Sequence, residues 1–393
     1  MTVPARVLAV ADSDSYLKWT AGLLDHLPED WSRRLAVVRS PITPSPEQIR
    51  SALNGTGSKD PAVVTARGLV RVITEHRPDV VLLGCTGPVV DTLSAMVLGR
   101  SRPVLVSGLP GISVPATERA WRFRSAADLF IVHSHHEVAE FTEIARRMGL
   151  PGRVGLARLP FLAPAEAAPV RDRVVFATQA KVPVERGQRE SILLSLAALA
   201  ERRPDLRVVV KLRALATEEQ THRERHSYQT LWDEMVAEGR VRAGLLTFDA
   251  GPMREHLAHA AGFVTVSSTA ALEAIAASVP LLVLSDFGVG AEMINLVFAD
   301  SGCLGTLADL ERAEFRDPDP AWCAANYFHA PDADDWVGTL TDLVRTSRGG
   351  ALPVPTRLVR RKGLLAEPKA RLRLQLSPTM VRQLSGIRRA VRR

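Results

Sequence analysis

The run Ala261–Glu292, AGFVTVSSTAALEAIAASVPLLVLSDFGVGAE, leaves this chain few folds to adopt. Gly262–Val266 is an apolar run, the pattern of a strand buried on both faces. Ser267, Ser268 and Thr269 follow, small hydroxyl residues suited to starting a helix. Ala270–Ala277 is strongly helix-forming, carries Glu273 on its second turn, and is stopped by Pro280. Leu281–Leu284 is a second buried strand, ending in Ser285, Asp286, Phe287 and Gly288. Strand, helix and strand at this spacing make a βαβ unit. In open parallel sheets ligands bind outside the strands' carboxyl ends. A helix N-terminus at that edge offers free N–H groups and a positive dipole end to an anion such as phosphate.

The same alternation runs along the rest of the chain. Arg6–Ala11, Arg34–Val38, Asp79–Leu83, Pro103–Ser107 and Leu129–Val132 read as strands. Helices are expected over Leu17–Leu27, with Ser15 as N-cap, and over Ala62–His76, Val89–Leu98 and Glu137–Met148. Arg158–Pro169, with three prolines and several alanines, reads as an interdomain linker. Beyond it, strands are expected at Arg173–Ala177, Arg207–Leu212 and Gly244–Phe248. Helices are expected at Arg189–Arg202, Glu218–Glu238, Pro252–Ala260 and Ala291–Ala299, with closing helices at Asp317–Phe328 and Asp332–Arg345. The fold class is therefore α/β: two Rossmann-like, doubly wound domains over 1–160 and 170–345, with a basic tail over 346–393.

Charge is not spread evenly. Thr356–Arg393 holds 12 of the 50 Lys and Arg residues against one acid, Glu367, so this stretch carries +11 and the remainder −4. Such asymmetry points the tail at an anionic partner. Its bases alternate with Leu, Val and Ile, as in Arg371-Leu372-Arg373-Leu374, which suits an anionic membrane surface; a disordered basic extension is the plainer reading. It has no aromatic residue for stacking single strands, so nucleic acid is not the expected partner. No apolar stretch approaches the ~20 residues that span a bilayer, and the N-terminus lacks a signal-peptide pattern. The three cysteines, Cys85, Cys303 and Cys323, have no CxxC spacing and are expected to be free thiols of a cytoplasmic protein. No GxGxxG, GxxxxGK[ST] or GxSxG motif is present, which removes the main support for NAD-dependent, P-loop and α/β-hydrolase readings.

Two such domains, with FATQA (Phe176–Ala180), VVKLR (Val209–Arg213), TVSSTAALEAIA (Thr265–Ala276) and GLPGISVPA (Gly108–Ala116), resemble the GT-B glycosyltransferases over most of Arg6–Arg345. The nearest likeness is to an actinobacterial family of uncharacterised proteins classed as glycosyltransferases; a looser one is to bacterial capsule polysaccharide and polysialic-acid-type transferases. Capsule-type enzymes often show Lys-x-His-Pro where this chain has Lys211-Leu212-Arg213-Ala214, so no histidine role carries over there. The resemblance implies two domains facing a cleft, the second holding a nucleotide-sugar donor and the first a glycan or lipid-linked acceptor of the cell envelope. The expected transfer needs no cofactor and no metal, and the protein is expected in the cytoplasm, with the basic tail suited to holding it against the inner face of the plasma membrane. Alternatives on the same scaffold are a nucleotide-sugar 2-epimerase, a polyol-phosphate transferase, or a non-catalytic nucleotide- or glycan-binding protein.

Under that resemblance, Ser267, Ser268 and Thr269 are donor-phosphate contacts, although they would serve equally as plain helix caps. Glu273 is an acceptor for a ribose or sugar hydroxyl. Lys211 and Arg213, after an apolar strand, are cations for a pyrophosphate or a sugar carboxylate, or else solvated surface bases. Gln179 ends the first strand of the second domain, on the ligand edge. Asp12, Asp14, His133 and His135 follow strands of the first domain and are the candidate general bases, against loop-and-cap duty for the aspartates. Gly84, Thr86, Gly108 and Gly111 line strand-to-helix turns where an acceptor could approach closely. His133-Ser134-His135-His136 packs its imidazoles too tightly along the chain for one ion, and His222 with His226 lacks a third ligand, so no metal site is expected.

Overall fold

The computed structural model describes residues 4–150, 152–162, 168, 170–212, 225–359 and 366–374. The chain divides into two compact units, one of Met1–Phe161 with His329–Arg393, the other of Leu162–Phe328. In chain order the elements are β1 (Arg6–Ala11), α1 (Asp14–Asp25), β2 (Ser32–Val38), α2 (Pro46–Leu53), β3 (Ala62–Val64), α3 (Ala66–His76), β4 (Val80–Gly84), α4 (Gly87–Leu98), β5 (Val104–Gly108), α5 (Glu118–Arg124), β6 (Leu129–Val132), α6 (His135–Arg147) and β7 (Arg153–Leu156). The second unit follows with β8 (Arg173–Ala177), α7 (Arg186–Arg202), β9 (Arg207–Lys211), α8 (Tyr228–Ala237), β10 (Leu246–Asp249), α9 (Met253–Ala258), β11 (Ala260–Thr265), α10 (Ala270–Ala276), β12 (Leu281–Leu284), β13 (Leu304–Gly305), α11 (Leu307–Glu311) and α12 (Pro320–Ala325). The chain then returns to the first unit with α13 (Trp336–Arg348) and α14 (Ala366–Arg373).

The first unit holds a seven-stranded sheet ordered β3-β2-β1-β4-β5-β6-β7, and the second a six-stranded sheet ordered β10-β9-β8-β11-β12-β13. Every pair of neighbouring strands is parallel. Central strands such as Val80–Gly84 and Leu281–Leu284 are buried at every position, which explains their continuous apolar composition. In each sheet the strand order reverses direction once, between β1 and β4 and between β8 and β11. A doubly wound sheet leaves a crevice at that point, outside the carboxyl ends of the strands.

Several elements differ from the expectation. Ala62–Val64 is not the start of a helix but strand β3, paired with β2. Val63 and Val64 are β-branched, and Thr65 caps the helix that follows by accepting from the Gly68 amide, so the helix cannot begin earlier. Helix α1 starts at Asp14 with Ser13, not Ser15, at its N-cap. The expected helix over Ala291–Ala299 shrinks to a 3-10 turn, Leu296–Phe298. Ile294 adopts a left-handed φ of 57°, and the buried Asn295 side chain bonds the Gly290 amide and the Gly288 carbonyl, closing a loop where the helix would run.

The largest difference concerns the last 17 residues of the expected second domain, 329–345, and the tail. Helix α13 belongs to the first unit, where Asp335 accepts from the Leu156 amide at 2.7 Å. What reads as a free basic arm from Thr356 is, as far as it is described, also part of that unit. Arg357 pairs with the buried Asp91 of α4 at 2.9 Å, the Leu358 amide bonds Ser125, and Leu374 lies in one core with Leu8, Ala66 and Leu105. The bases at 360–362 and 382–393 lie outside the described residues. Among the described residues no helix is long and apolar enough to cross a membrane.

Candidate functional site

At the reversal point of the first unit the crevice is filled. Asp12, the residue after β1, is fully buried. Its carboxylate accepts the Thr86 amide at 3.0 and 3.1 Å and the Thr86 hydroxyl at 2.6 Å, which ties the ends of β1 and β4 together. Burial raises the Asp12 carboxyl from 3.8 to about 6, against the opposing pull of the Thr86 bonds and of Arg124. Arg124 is itself buried and spends its guanidinium on the carbonyls of Gly108, Ala120 and Cys85 and on the Tyr16 hydroxyl. Burial also lifts the Tyr16 phenol and the Cys85 thiol above their usual values.

His133, an expected base, is enclosed as well. It has no exposed surface, and its Nδ1 lies 2.6 Å from the Ala157 carbonyl. Its Nε2 receives the Trp19 indole N–H at 2.7 Å and lies 2.9 Å from the Leu109 carbonyl. Desolvation lowers its pKa. With both ring nitrogens engaged, His133 is a structural residue. Gly84 and Gly108 are also explained by packing. A side chain at Gly84 would run into Thr20 and Trp19, and one at Gly108 into the Ile131 carbonyl and Trp19. Thr86 stands at the N-cap of α4 with its hydroxyl committed to Asp12. Asp14 is half-buried in the first turn of α1 and accepts from Ser15 at 3.4 Å.

His135 behaves differently from His133. It is exposed at the start of α6, just past the carboxyl end of β6, and its ring lies edge-to-face against the buried His329 at 5.4 Å between centroids. Below it, Ser134 caps α6 by accepting the Glu137 amide. The buried Glu137 carboxylate accepts the amides of His133 and Ser113, and Glu140 accepts that of Ala116. Together they hold the half-buried loop that contains Gly111. The Ser-x-x-Glu spacing of Ser134 and Glu137 is a capping signature visible in the sequence, but its grip on a loop some 20 residues away is not.

In the second unit, Ala177 and Thr265 face each other across the reversal point, and the Thr265 hydroxyl donates to the Ala177 carbonyl at 3.0 Å. Directly beyond them lie Gln179 from β8 and Ser267, Ser268 and Thr269 from β11, so four of the expected donor residues share one strand edge. Their hydroxyls are not equivalent. Ser267 is buried and donates to the Ile294 carbonyl at 2.6 Å, pinning the 288–295 loop. In this arrangement its hydroxyl is committed to that loop and not directed to a ligand. The half-buried Ser268 accepts the Ala270 amide at 3.2 Å, the plain cap role. Thr269 is half-buried, occupies the N-cap of α10, and its side chain makes no cap bond. Glu273 is half-buried in the first turn of α10.

One of the two expected cations sits further along the same edge. Lys211 ends β9 but is buried, with Nζ 2.5 Å from the Leu212 carbonyl. It stands near Asp249, which a hydrogen bond from the Gly251 amide holds below the usual carboxylate range, and near the buried His256, whose pKa burial lowers. Arg213 and His222 lie outside the described residues. Arg189, unsuspected in the sequence, is the best-buried cation among the described residues of this unit. It bonds the carbonyls of Gln179, Ala180, Pro183 and His226 and stacks on the Tyr228 ring at 4.8 Å, fixing the loop that carries Gln179. Among the described residues no group of three or more His, Cys, Asp or Glu could hold a metal ion. A cavity of about 220 Å³ lined by Arg6, Arg34, Glu75 and His76 lies at the amino end of β1, the edge where such sheets do not bind ligands.

Comparison with known proteins adds to this geometry. The family model described as "Putative glycosyltransferase (DUF6716)" matches residues 7–343. No curated protein matches the chain. Among solved structures, the chain is similar to a UDP-GlcNAc 2-epimerase of Neisseria meningitidis bound to UDP-GlcNAc, at 12% identity and a TM-score of 0.56, covering 88% of this chain and 100% of that one. Similar too are S. aureus MnaA with UDP (10% identity, TM-score 0.56, 88% and 98% covered) and Anabaena Alr3699/HepE with UDP and glucose (15% identity, TM-score 0.53, 88% and 100% covered). At these identities the likeness is one of fold, the two-unit GT-B type.

Proposed function

Since the chain belongs to the DUF6716 family, we propose that it transfers a sugar from a uridine diphosphate sugar to a glycan or lipid-linked acceptor of the cell envelope. The observation that carries this reading is the reversal point of the second unit. There Gln179, Ser268 and Thr269 stand half-buried on one strand edge with Glu273 half-buried in the first turn of α10, while the matching place in the first unit is closed by Asp12 and Thr86. Small donors of this kind suit the phosphates of the nucleotide, and the Glu273 carboxylate suits a ribose or sugar hydroxyl. The similar solved proteins hold UDP or UDP-GlcNAc, which favours uridine among the bases. Catalysis would then be positioning of the acceptor and stabilisation of the departing phosphate by protein groups, without a metal. Attachment to an anionic membrane would rest on the tail bases beyond the described residues.

A UDP-sugar 2-epimerase is the second reading, favoured by the fold likeness to the Neisseria meningitidis UDP-GlcNAc 2-epimerase. Melting curves with UDP, CMP, CDP and GDP compounds test the donor site. UDP and UDP-sugars should raise the melting temperature, and an unchanged temperature with all four at concentrations far above a plausible Kd would remove the reading. Release of UDP that depends on an added glycan supports transfer; conversion of UDP-GlcNAc without any acceptor supports epimerisation.

A further inference from the structure

We propose that His135 is the general base of the first unit and that His329 and Asp334 are the residues that position it. The inference rests on the transferase reading above. His135 is the exposed member of the pair, and the His329 side chain against which its ring lies is only 1% exposed. The buried ring turns Nε2 to Asp334, 2.9 Å away. Asp334 is held in turn by the Arg158 amide at 2.8 Å and the Arg158 Nε at 3.1 Å. Burial works against a charge on Asp334, but the bonds from His329 and Arg158 outweigh it and keep the carboxyl below its usual range. An ionised Asp334 accepts from Nε2–H, so it fixes the tautomer and plane of His329, and the His329 ring limits the rotamers open to His135. Of the neighbouring ionisable groups, the buried His133 is close enough to His329 for their positive charges to oppose each other, the buried Glu137 carboxylate is engaged by the His133 and Ser113 amides, and His136 pairs with Glu140.

The other candidate bases are used up or differently placed. Asp12 is spent on Thr86, and both nitrogens of His133 are engaged. Among the described residues the Asp14 carboxylate bonds only the neighbouring, exposed Ser15, which does not fix its orientation. In the step assigned here, an acceptor hydroxyl gives its proton to a nitrogen of His135 as its oxygen bonds the anomeric carbon. The bond from that carbon to the phosphate oxygen breaks, and UDP leaves with the electron pair. His329 and Asp334 come from the stretch where the chain re-enters the first unit, about 195 residues from His135, which is why no sequence motif joins them.

The test uses the full chain with UDP-GlcNAc and UDP-glucose. His135→Gln should lower kcat for UDP release about 100-fold, with KM and the UDP-induced melting shift unchanged. His329→Gln and Asp334→Asn should each lower kcat about 10-fold and displace the acid limb of the pH–rate profile. Full kcat in His135→Gln overturns the proposal, and so does loss of UDP binding in that variant, which would make His135 a binding residue. If the wild type shows no melting shift with either sugar nucleotide, the donor reading has failed. The base is then judged by diethylpyrocarbonate modification of His135 followed by mass spectrometry. A pH profile of modification that moves in His329→Gln supports the positioning contact; identical profiles in wild type and variant overturn it. Where Asp334→Asn unfolds the protein, His329→Gln carries the comparison.

Discussion

The two units share a strand order and differ in what stands at the reversal point. In the first, β1 and β4 are stitched by Asp12 and Thr86, Trp19 fills the space beside Gly84 and Gly108, and Arg124 closes the carbonyls around them. In the second, β8 and β11 end in Gln179, Ser268 and Thr269, none of them wholly buried. Doubly wound topology supplies a crevice to both sheets. Side-chain volume and hydrogen bonding decide whether it is filled from within or left for a ligand. Under the proposed transfer, the first unit would offer an acceptor its exposed outer residues, of which His135 is one, and the second would offer a donor its strand edge.

Overfilling the first crevice should have the largest effect. A Cβ at Gly108 would lie 2.5 Å from the Ile131 carbonyl and 2.8 Å from the Trp19 ring, and the carbonyl belongs to a central strand that cannot yield. Gly108→Ala should cost about 3 kcal/mol or more in urea unfolding. UDP binding by the folded fraction should not change. Loss of acceptor selectivity with full stability would instead make Gly108 a contact residue.

Asp12 gives the next largest effect. Its carboxyl titrates near 3.8 when unfolded and is raised to about 6 in the native state. The native state thus binds the proton more tightly, so the stabilisation is complete below the unfolded value and is lost as pH rises through about 6. The wild type should lose up to about 3 kcal/mol from this group between pH 4 and 7. Asp12→Asn, which keeps an acceptor for the Thr86 amide, should flatten that slope. Parallel urea midpoints for both proteins across this range would show that the carboxyl is not destabilised by its burial.

The strands of both sheets were legible because burial on both faces demands unbroken apolar runs, and the βαβ unit at Ala261–Glu292 announced a parallel sheet. The ligand edge was legible too, since it follows from where such strands end. What could not be read was the partner of each polar residue. Asp12 meets Thr86 across 74 residues and Ser267 meets Ile294 across 27, contacts fixed by strand order and loop closure and not by local pattern. The assignment of α13 to the first unit was hidden for a related reason. An amphipathic helix states that one face will be buried, not which sheet will cover it.

The smallest effect bears most directly on the second unit, where two neighbouring hydroxyls are predicted to part company. Ser267 is buried and its hydroxyl is spent on Ile294, whereas the Thr269 side chain makes no cap bond at the head of α10. Ser267→Ala leaves a carbonyl without its donor and should cost about 1–2 kcal/mol of stability, with UDP affinity nearly kept. Thr269→Ala should leave stability within about 0.5 kcal/mol of wild type and weaken UDP binding several-fold, a loss of about 1 kcal/mol for one hydrogen bond to a phosphate oxygen. Calorimetric titration with UDP alongside urea unfolding separates the two losses. The reverse pattern, with affinity lost at Ser267 and kept at Thr269, would mean that the 288–295 loop opens when the nucleotide binds and frees the Ser267 hydroxyl for it. The reversal point of the second unit would then be closed at rest like that of the first, and the two units would differ in how easily each crevice opens.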